Sequence, residues 1–191
     1  MSTQDEVIHI FDEAGAIKRG HFLLSSGRHS DEYWEKFEVL QWPRYTEPLC
    51  HHIAGLFRDR HIEVVAGPTT GGVVLAYETA RLLGLRAAYA EERPDGRGRV
   101  FRRGRGIQPR ERVLILDDVL TTGGSVREVI AAVEQAGGAI AGIAVLVDRS
   151  AAPVELGYPW HALARVQVQS WLPEECPLCR AGVPLQSLGG T

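Results

Sequence analysis

The segment from Val113 to Ser125 constrains this chain more than any other. Val113, Leu114, Ile115 and Leu116 form an unbroken apolar run bounded by polar residues, the pattern of a strand covered on both faces. Asp117 and Asp118 follow at its carboxyl end, then Thr121, Thr122, Gly123, Gly124 and Ser125 lead into a helix-like stretch. Adjacent carboxylates beside a buried strand are costly unless hydroxyls, a metal or cationic groups engage them. The glycines let successive backbone N–H groups converge, the hydroxyls add donors, and a helix N-terminus adds positive potential, which together suit a phosphate. An anion cradle beside paired acids fits a phosphorylated sugar, with the acids on its diol and Mg²⁺ nearby. A capped strand-to-helix turn needs neither two acids nor so many hydroxyls.

The rest of the chain supplies a frame for such a strand. Spacing predicts helices over residues 4–17, 45–59, 71–83 and 124–136, and strands over 21–25, 32–40, 63–66, 85–90, 113–116, 139–147 and 162–168. Alternation of this kind implies an α/β fold with right-handed crossovers and a mostly parallel central sheet flanked by helices. Ligands then sit beyond the carboxyl ends of the strands. With 191 residues and no low-complexity linker, one domain spanning 1–191 is expected, with a small N-terminal hood over about 1–40 plus the C-terminal segment and a core over about 44–170.

Composition narrows the function classes. A net charge of −3 argues against a globally basic nucleic-acid binder. No apolar run is long enough for a membrane span, and the opening residues lack a basic stretch followed by an apolar one, so neither a membrane nor a signal peptide is expected. Three cysteines are too few for a disulfide framework, as expected of a cytoplasmic protein. Cys176 and Cys179 share the Cys-x-x-Cys spacing of zinc knuckles, but this is half a site. Cys50, the seven histidines or a second subunit would have to supply the remaining ligands. Packing of the tail is the main expectation for this pair, ahead of zinc or a reversible disulfide.

The 113–125 segment resembles the phosphoribosyl-pyrophosphate (PRPP) binding motif of the type I phosphoribosyltransferases. The resemblance implies that fold, and PRPP contacts from Asp117, Asp118, Val119, Leu120, Thr121, Thr122, Gly123, Gly124 and Ser125. It further implies that Thr69, Thr70 and Gly71, in the loop after the first core strand, contact pyrophosphate. Near the N-terminus, Phe22, Leu24, Ser26, Gly27, Arg28 and Ser30, followed by Tyr33 and Trp34, resemble the hood of the orotate phosphoribosyltransferases. The tail over 177–185 is similar to a bacterial subgroup of that family, known from Thermus and relatives. The expected reaction joins orotate to the 5-phosphoribosyl group of PRPP, giving orotidine 5′-phosphate and pyrophosphate in pyrimidine (UMP) biosynthesis. Orotate would be held by Thr121, Arg149, Ser26, Gly27 and Tyr33, and Mg²⁺ would arrive with PRPP close to Asp117 and Asp118. A homodimer is implied as well.

Three features depart from the family pattern. The loop over 67–72, after the first core strand, has no cation where many members carry a lysine. Ser25 stands where many members carry a lysine. Residues 91–105 hold arginines but neither the lysine nor the histidine of the family's mobile loop. Eight arginines between Arg93 and Arg112 face only Asp95 and Glu111 along the chain. The expectation is a lid over the leaving pyrophosphate, with Arg93 making the closest contact and acting with Asp117 and Asp118 as catalytic residues. Two other readings stay open: a transferase for a purine base, and a PRPP-sensing regulator of the same fold that binds RNA.

Overall fold

The computed structural model describes residues 2–24 and 26–188, which leaves Ser25 outside the described residues. The chain runs α1 (Thr3–Glu13), β1 (Ile17–Leu23), β2 (His29–Trp34), α2 (Phe37–Leu40), α3 (Pro43–Phe57), β3 (Val64–Pro68), α4 (Gly71–Leu83), β4 (Arg86–Glu92) and β5 (Arg99–Val100). It continues through β6 (Arg112–Leu120), α5 (Gly124–Gln135), β7 (Ala139–Asp148), β8 (Trp160–Arg165) and β9 (Ser170–Trp171), and ends in a short 3₁₀ turn and α6 (Pro177–Arg180).

Six strands form the central sheet in the order β5-β4-β3-β6-β7-β8, parallel except for the edge strand β5. Its pleat explains the continuous apolar runs. Val65, Leu114, Leu116, Ala144 and Leu146 pack on one face with Phe11 of α1, Leu49 and Ile53 of α3 and Leu75 of α4. Their neighbours Val64, Ala66, Val113, Ile115, Ile143 and Val145 pack on the other face with Val126, Val129 and Val133 of α5. Successive residues thus serve opposite layers, and both layers are apolar. The hood is an antiparallel sheet in the order β1-β2-β9, so the C-terminal segment completes what the N-terminus begins.

Several predicted boundaries move. The apolar spacing over 4–17 spans two elements, because Gly15 adopts φ +69° and Ile17 already belongs to β1. The expected strand over 32–40 ends at Trp34. Val39 and Leu40 are consecutive and both buried, which the turn of α2 allows and the alternation of a half-buried strand does not. The last core strand lies at Trp160–Arg165, earlier than expected. The long loop after β4 begins as a hairpin, with Glu91 opposite Val100 and Glu92 opposite Arg99. Strand β6 extends through Leu120, which pairs with Asp148, so both acids lie within the strand. Among the described residues, no helix is long and apolar enough to cross a membrane.

Helix α3 meets the sheet through Phe57, whose ring fills the space above Gly142 of β7. A Cβ on Gly142 would lie 2.2 Å from Phe57 Cε1. Gly142→Ala should therefore destabilise the fold by about 1–3 kcal/mol through overpacking. Thermal melts would check this, and a Phe57→Leu change in the same chain should recover part of the loss. An unchanged melting temperature for the single variant would show that α3 shifts without cost.

Candidate active site

The chain leaves β3 toward β4 on one side, then returns to place β6 on the other, so the sheet changes direction between β3 and β6. Ligand crevices form at such a switch point, beyond the carboxyl ends of the strands. Here those ends carry Thr69, Thr70 and Gly71 after β3, and Asp117 through Ser125 at the end of β6.

Glycines let the two segments approach each other. A Cβ on Gly71 would lie 1.9 Å from Asp118 Oδ2, and one on Gly67 would lie 2.3 Å from the Gly72 carbonyl oxygen. Only bare backbone can pass between the strand and the acid here. No side chain caps the start of α4, so its first amides face the crevice uncapped. Thr70 is exposed and Thr69 half-buried, and the peptide between them is cis.

The pleat separates the acids. Asp117 continues the Val113–Ile115 face toward α5, while Asp118 continues the Leu114–Leu116 face toward α4. Both are buried, at 6% and 3% exposure. Asp117 Oδ1 accepts from the Asp118 amide at 2.9 Å, and Asp118 Oδ1 accepts from the Val119 amide at 2.7 Å. Lys36 donates to Asp118 Oδ1 at 3.2 Å, and its Nζ lies 3.1 Å from Oδ2. Burial, helped by the neighbouring charge of Asp118, pushes Asp117 up to about 7. Burial also raises Asp118, against the opposing pull of Lys36.

Beyond the acids, Thr121, Thr122 and Gly124 are exposed and Ser125 half-buried at the start of α5. Gly123 turns the chain with φ +78°, and no side chain caps the helix. Arg127 reaches back to the carbonyls of Thr122 at 2.7 Å and Glu155 at 3.1 Å, which fixes the loop from behind. Leu120 is buried and Val119 half-buried, so these two support the segment more than they line it.

Arg149 follows β7 and lies beneath the hood. Its amide donates to the Leu120 carbonyl at 2.8 Å, and its guanidinium lies 5.8 Å from the Trp34 ring centre. Its Nε is buried without a hydrogen-bond partner. Burial lowers its pKa, while Glu32 and Tyr33 oppose that shift. Trp34 packs inward against Phe11 at 5.2 Å, leaving Tyr33, beside Phe22, as the hood's half-open aromatic. Ser26 and Gly27 occupy the exposed turn between β1 and β2, and no described hydrogen bond joins them to Arg149. Two other residues of the hood motif face the tail. Arg28 donates to Ser170 Oγ and to the Ser170 carbonyl, and Ser30 donates to the Gln169 carbonyl.

The structure does not bring Arg93 to this crevice. It donates to Gln135 Oε1 at 2.7 Å, at the far end of α5 from the glycine cradle. The hairpin imposes this, because the Arg93 amide is tied to the Gly98 carbonyl. Arg99 takes the inner place. It donates to Thr69 Oγ1 at 3.0 Å, the Ala90 carbonyl at 3.2 Å and Glu128 Oε2 at 3.1 Å. The arginine segment also gains acids from elsewhere. Glu91 meets Arg102 and Arg103, and Glu92 meets Arg99. Lys36 and Arg99 are the site residues that sequence reasoning missed. Lys36 stands two residues after the hood aromatics, and Arg99 was one arginine among eight.

Comparison with known proteins agrees with this geometry. The family description "Phosphoribosyl transferase domain" matches residues 38–174. A protein of Pelotomaculum thermopropionicum named orotate phosphoribosyltransferase is 50% identical over 182 residues, 95% of each chain. One of the same name from Heliobacterium modesticaldum is 48% identical over 184 residues, again 95% of each. The crystal structure of orotate phosphoribosyltransferase from Aeropyrum pernix superimposes with a TM-score of 0.71 at 26% identity, covering 84% of this chain and 93% of that one. The chain belongs to the phosphoribosyltransferase family, and within it to the orotate phosphoribosyltransferases.

The raised pKa of Asp117 has a consequence for stability. Between its ordinary 3.8 and about 7, the native state holds a proton that the unfolded state has lost, so wild-type stability falls as pH rises through that window. Asp117→Asn carries no such loss. Its melting temperature should exceed the wild type by a margin that widens from about pH 4 to about pH 8. A margin independent of pH would mean that Asp117 is ionised throughout.

Proposed function

We propose that this chain transfers the 5-phosphoribosyl group of PRPP to N1 of orotate, giving orotidine 5′-phosphate and pyrophosphate. The observation that carries the reading is Arg149, buried with an unpartnered Nε between the hood and the PRPP segment. Its guanidinium suits the carboxylate or carbonyl edge of a flat acidic base. The names of relatives about half identical to this chain support the same base. The hood and Arg149 favour orotate over a purine, and Arg99, Arg102 and Arg103 of the arginine segment are engaged by Glu128 and Glu91 of this same chain.

In this reading the C1–O bond to pyrophosphate breaks as the bond from C1 to orotate N1 forms, through an oxocarbenium-like state, and the N1 proton leaves to the departing pyrophosphate or to water. The protein contributes by positioning reactants and stabilising charge. The backbone amides and hydroxyls from Thr121 to Ser125 hold the 5′-phosphate at the uncapped start of α5. Asp117 and Asp118 hold the ribose hydroxyls, and their negative charge favours the cationic sugar. Thr69, Thr70 and Gly71 present donors to the pyrophosphate. Arg99 is a positioning residue that holds Thr69, while Lys36 holds Asp118 and balances its charge. Arg149 and Tyr33 orient orotate, with Thr121 and the turn at Ser26 and Gly27 closing the pocket. Buried hard oxygens, including Asp118 Oδ2, which is ion-paired with Lys36 but accepts no hydrogen bond, suit Mg²⁺. Mg²⁺ held there with PRPP would supply positive charge to the leaving pyrophosphate. The reading includes a cytoplasmic homodimer, and sedimentation at the mass of a single chain would overturn the dimer.

Pyrophosphate release with Mg-PRPP is expected with orotate and not with uracil, adenine, guanine, hypoxanthine or xanthine. Release with a purine alone would overturn the base assignment. Arg149→Ala should raise the orotate KM about 10- to 100-fold with little change in the PRPP KM, the loss expected for a charge-assisted contact. Equal effects on both constants would remove Arg149 from base recognition. Asp118→Asn should lower kcat by at least about tenfold in a folded protein. Near-wild-type turnover would remove the acid pair from the mechanism.

A further inference from the structure

Away from the crevice, the hood and tail bring four metal-ligating side chains to one point. His21 lies on β1, His29 on β2, and Cys176 and Cys179 flank the start and body of α6. Their nearest ligand atoms all lie within 4.8 Å of one another. His21 Nε2 is 3.0 Å from His29 Nδ1, 3.4 Å from Cys176 Sγ and 3.8 Å from Cys179 Sγ. Cys179 Sγ is 3.3 Å from His29 Nδ1. Tetrahedral zinc with ordinary Zn–N and Zn–S bonds separates its ligands by about 3.3–3.8 Å, close to these values. His21, His29 and Cys176 are buried, at 1%, 5% and 0% exposure. Cys50, the remaining cysteine, lies in the core with Sγ 3.8 Å from the Leu75 carbonyl and takes no part.

A second contact fixes the chemistry of the group. His21 Nδ1 is 2.8 Å from the Val183 carbonyl oxygen, which can only accept, so Nδ1 carries the proton. In the neutral ring, Nε2 then presents a lone pair to the other three residues. A carbonyl holding the far nitrogen of a ligand histidine is the usual outer support of a metal site.

We propose that His21, His29, Cys176 and Cys179 form a Cys₂His₂ structural site for Zn²⁺ that locks the C-terminal segment onto the hood. Binding releases the two thiol protons to solvent, and the dication with two thiolates and two neutral imidazoles carries no net charge. That neutrality suits a largely buried position. Four protein ligands leave no open position for a substrate, which makes the site structural and not catalytic. Its position explains what it holds. His21 and His29 flank the turn at Ser26 and Gly27, and α6 lies between the two tail segments that grip the hood. Those are β9 beside β2, and the Gln186 backbone bonded to His21 and Leu23. The proposal does not depend on which base the enzyme uses.

Elemental analysis of the tag-free full-length protein, desalted after brief zinc saturation, tests it. About one zinc per chain is expected for a structural site. Co²⁺ in place of zinc should give the intense visible bands of a tetrahedral thiolate site. Cys179→Ser removes a largely exposed ligand, so the chain should still fold while its zinc falls below about 0.2 per chain. Three results would overturn the proposal: wild-type zinc below about 0.2 per chain, zinc retained in full by a folded Cys179→Ser, or a Cys176–Cys179 disulfide in protein prepared under reducing conditions. If the variant does not fold, the Co²⁺ spectrum of the wild type decides the matter alone.

Discussion

Everything at the crevice depends on how closely the start of α4 passes Asp118. The Asp118 carboxylate rests against Gly71 with no room for a Cβ, and Lys36 reaches it from the hood side. Three separate parts of the chain thus converge on one buried carboxylate: the strand that carries it, the loop after β3, and the segment after the hood. Such an arrangement is expensive in desolvation, and the raised pKa values of both acids record that cost. Functional sites commonly hold groups in this state, since a ligand that supplies hydroxyls and positive charge then gains what the folded protein lacks.

The hood is a second structure built from both ends of the chain. Its motif resembles a substrate-binding turn, yet Arg28 and Ser30 spend their hydrogen bonds on Ser170 and Gln169. Their role here is to add β9 to the hairpin, which steadies Tyr33 and Trp34 above Arg149. The histidine–cysteine cluster sits on the same seam. Tail attachment and Tyr33, proposed above to face the base, therefore share one sheet, although the tail contributes no side chain to the crevice through any described hydrogen bond.

Legibility in the sequence followed the range of the interactions involved. The segment from Val113 to Ser125 could be read because a buried strand, its acids and its glycine turn are adjacent in the chain. Helix α4, Gly71–Leu83, was read to the residue, since its apolar spacing and the Gly84 that ends it are local signals. The arginine segment was misread in one respect: Glu91, Glu92 and Glu128 lie before or after it, and their pairing with it requires the hairpin and α5 to be in place. Arg93 and Arg99 look alike along the chain, and only the register of β4 with β5 turns one inward.

By itself, the sequence determined the α/β alternation, the two-sided burial of β6 and the glycine- and hydroxyl-rich turn that leads from it into α5, because each is written within a few consecutive residues. The tertiary structure decided which distant groups meet. Lys36 reaches Asp118, Arg99 reaches Thr69, and His21 and His29 reach Cys176 and Cys179. The last of these pairs spans most of the chain. No periodicity or spacing encodes it, because the contact exists only once β1, β2 and β9 have paired into one sheet and carried both termini to the same edge.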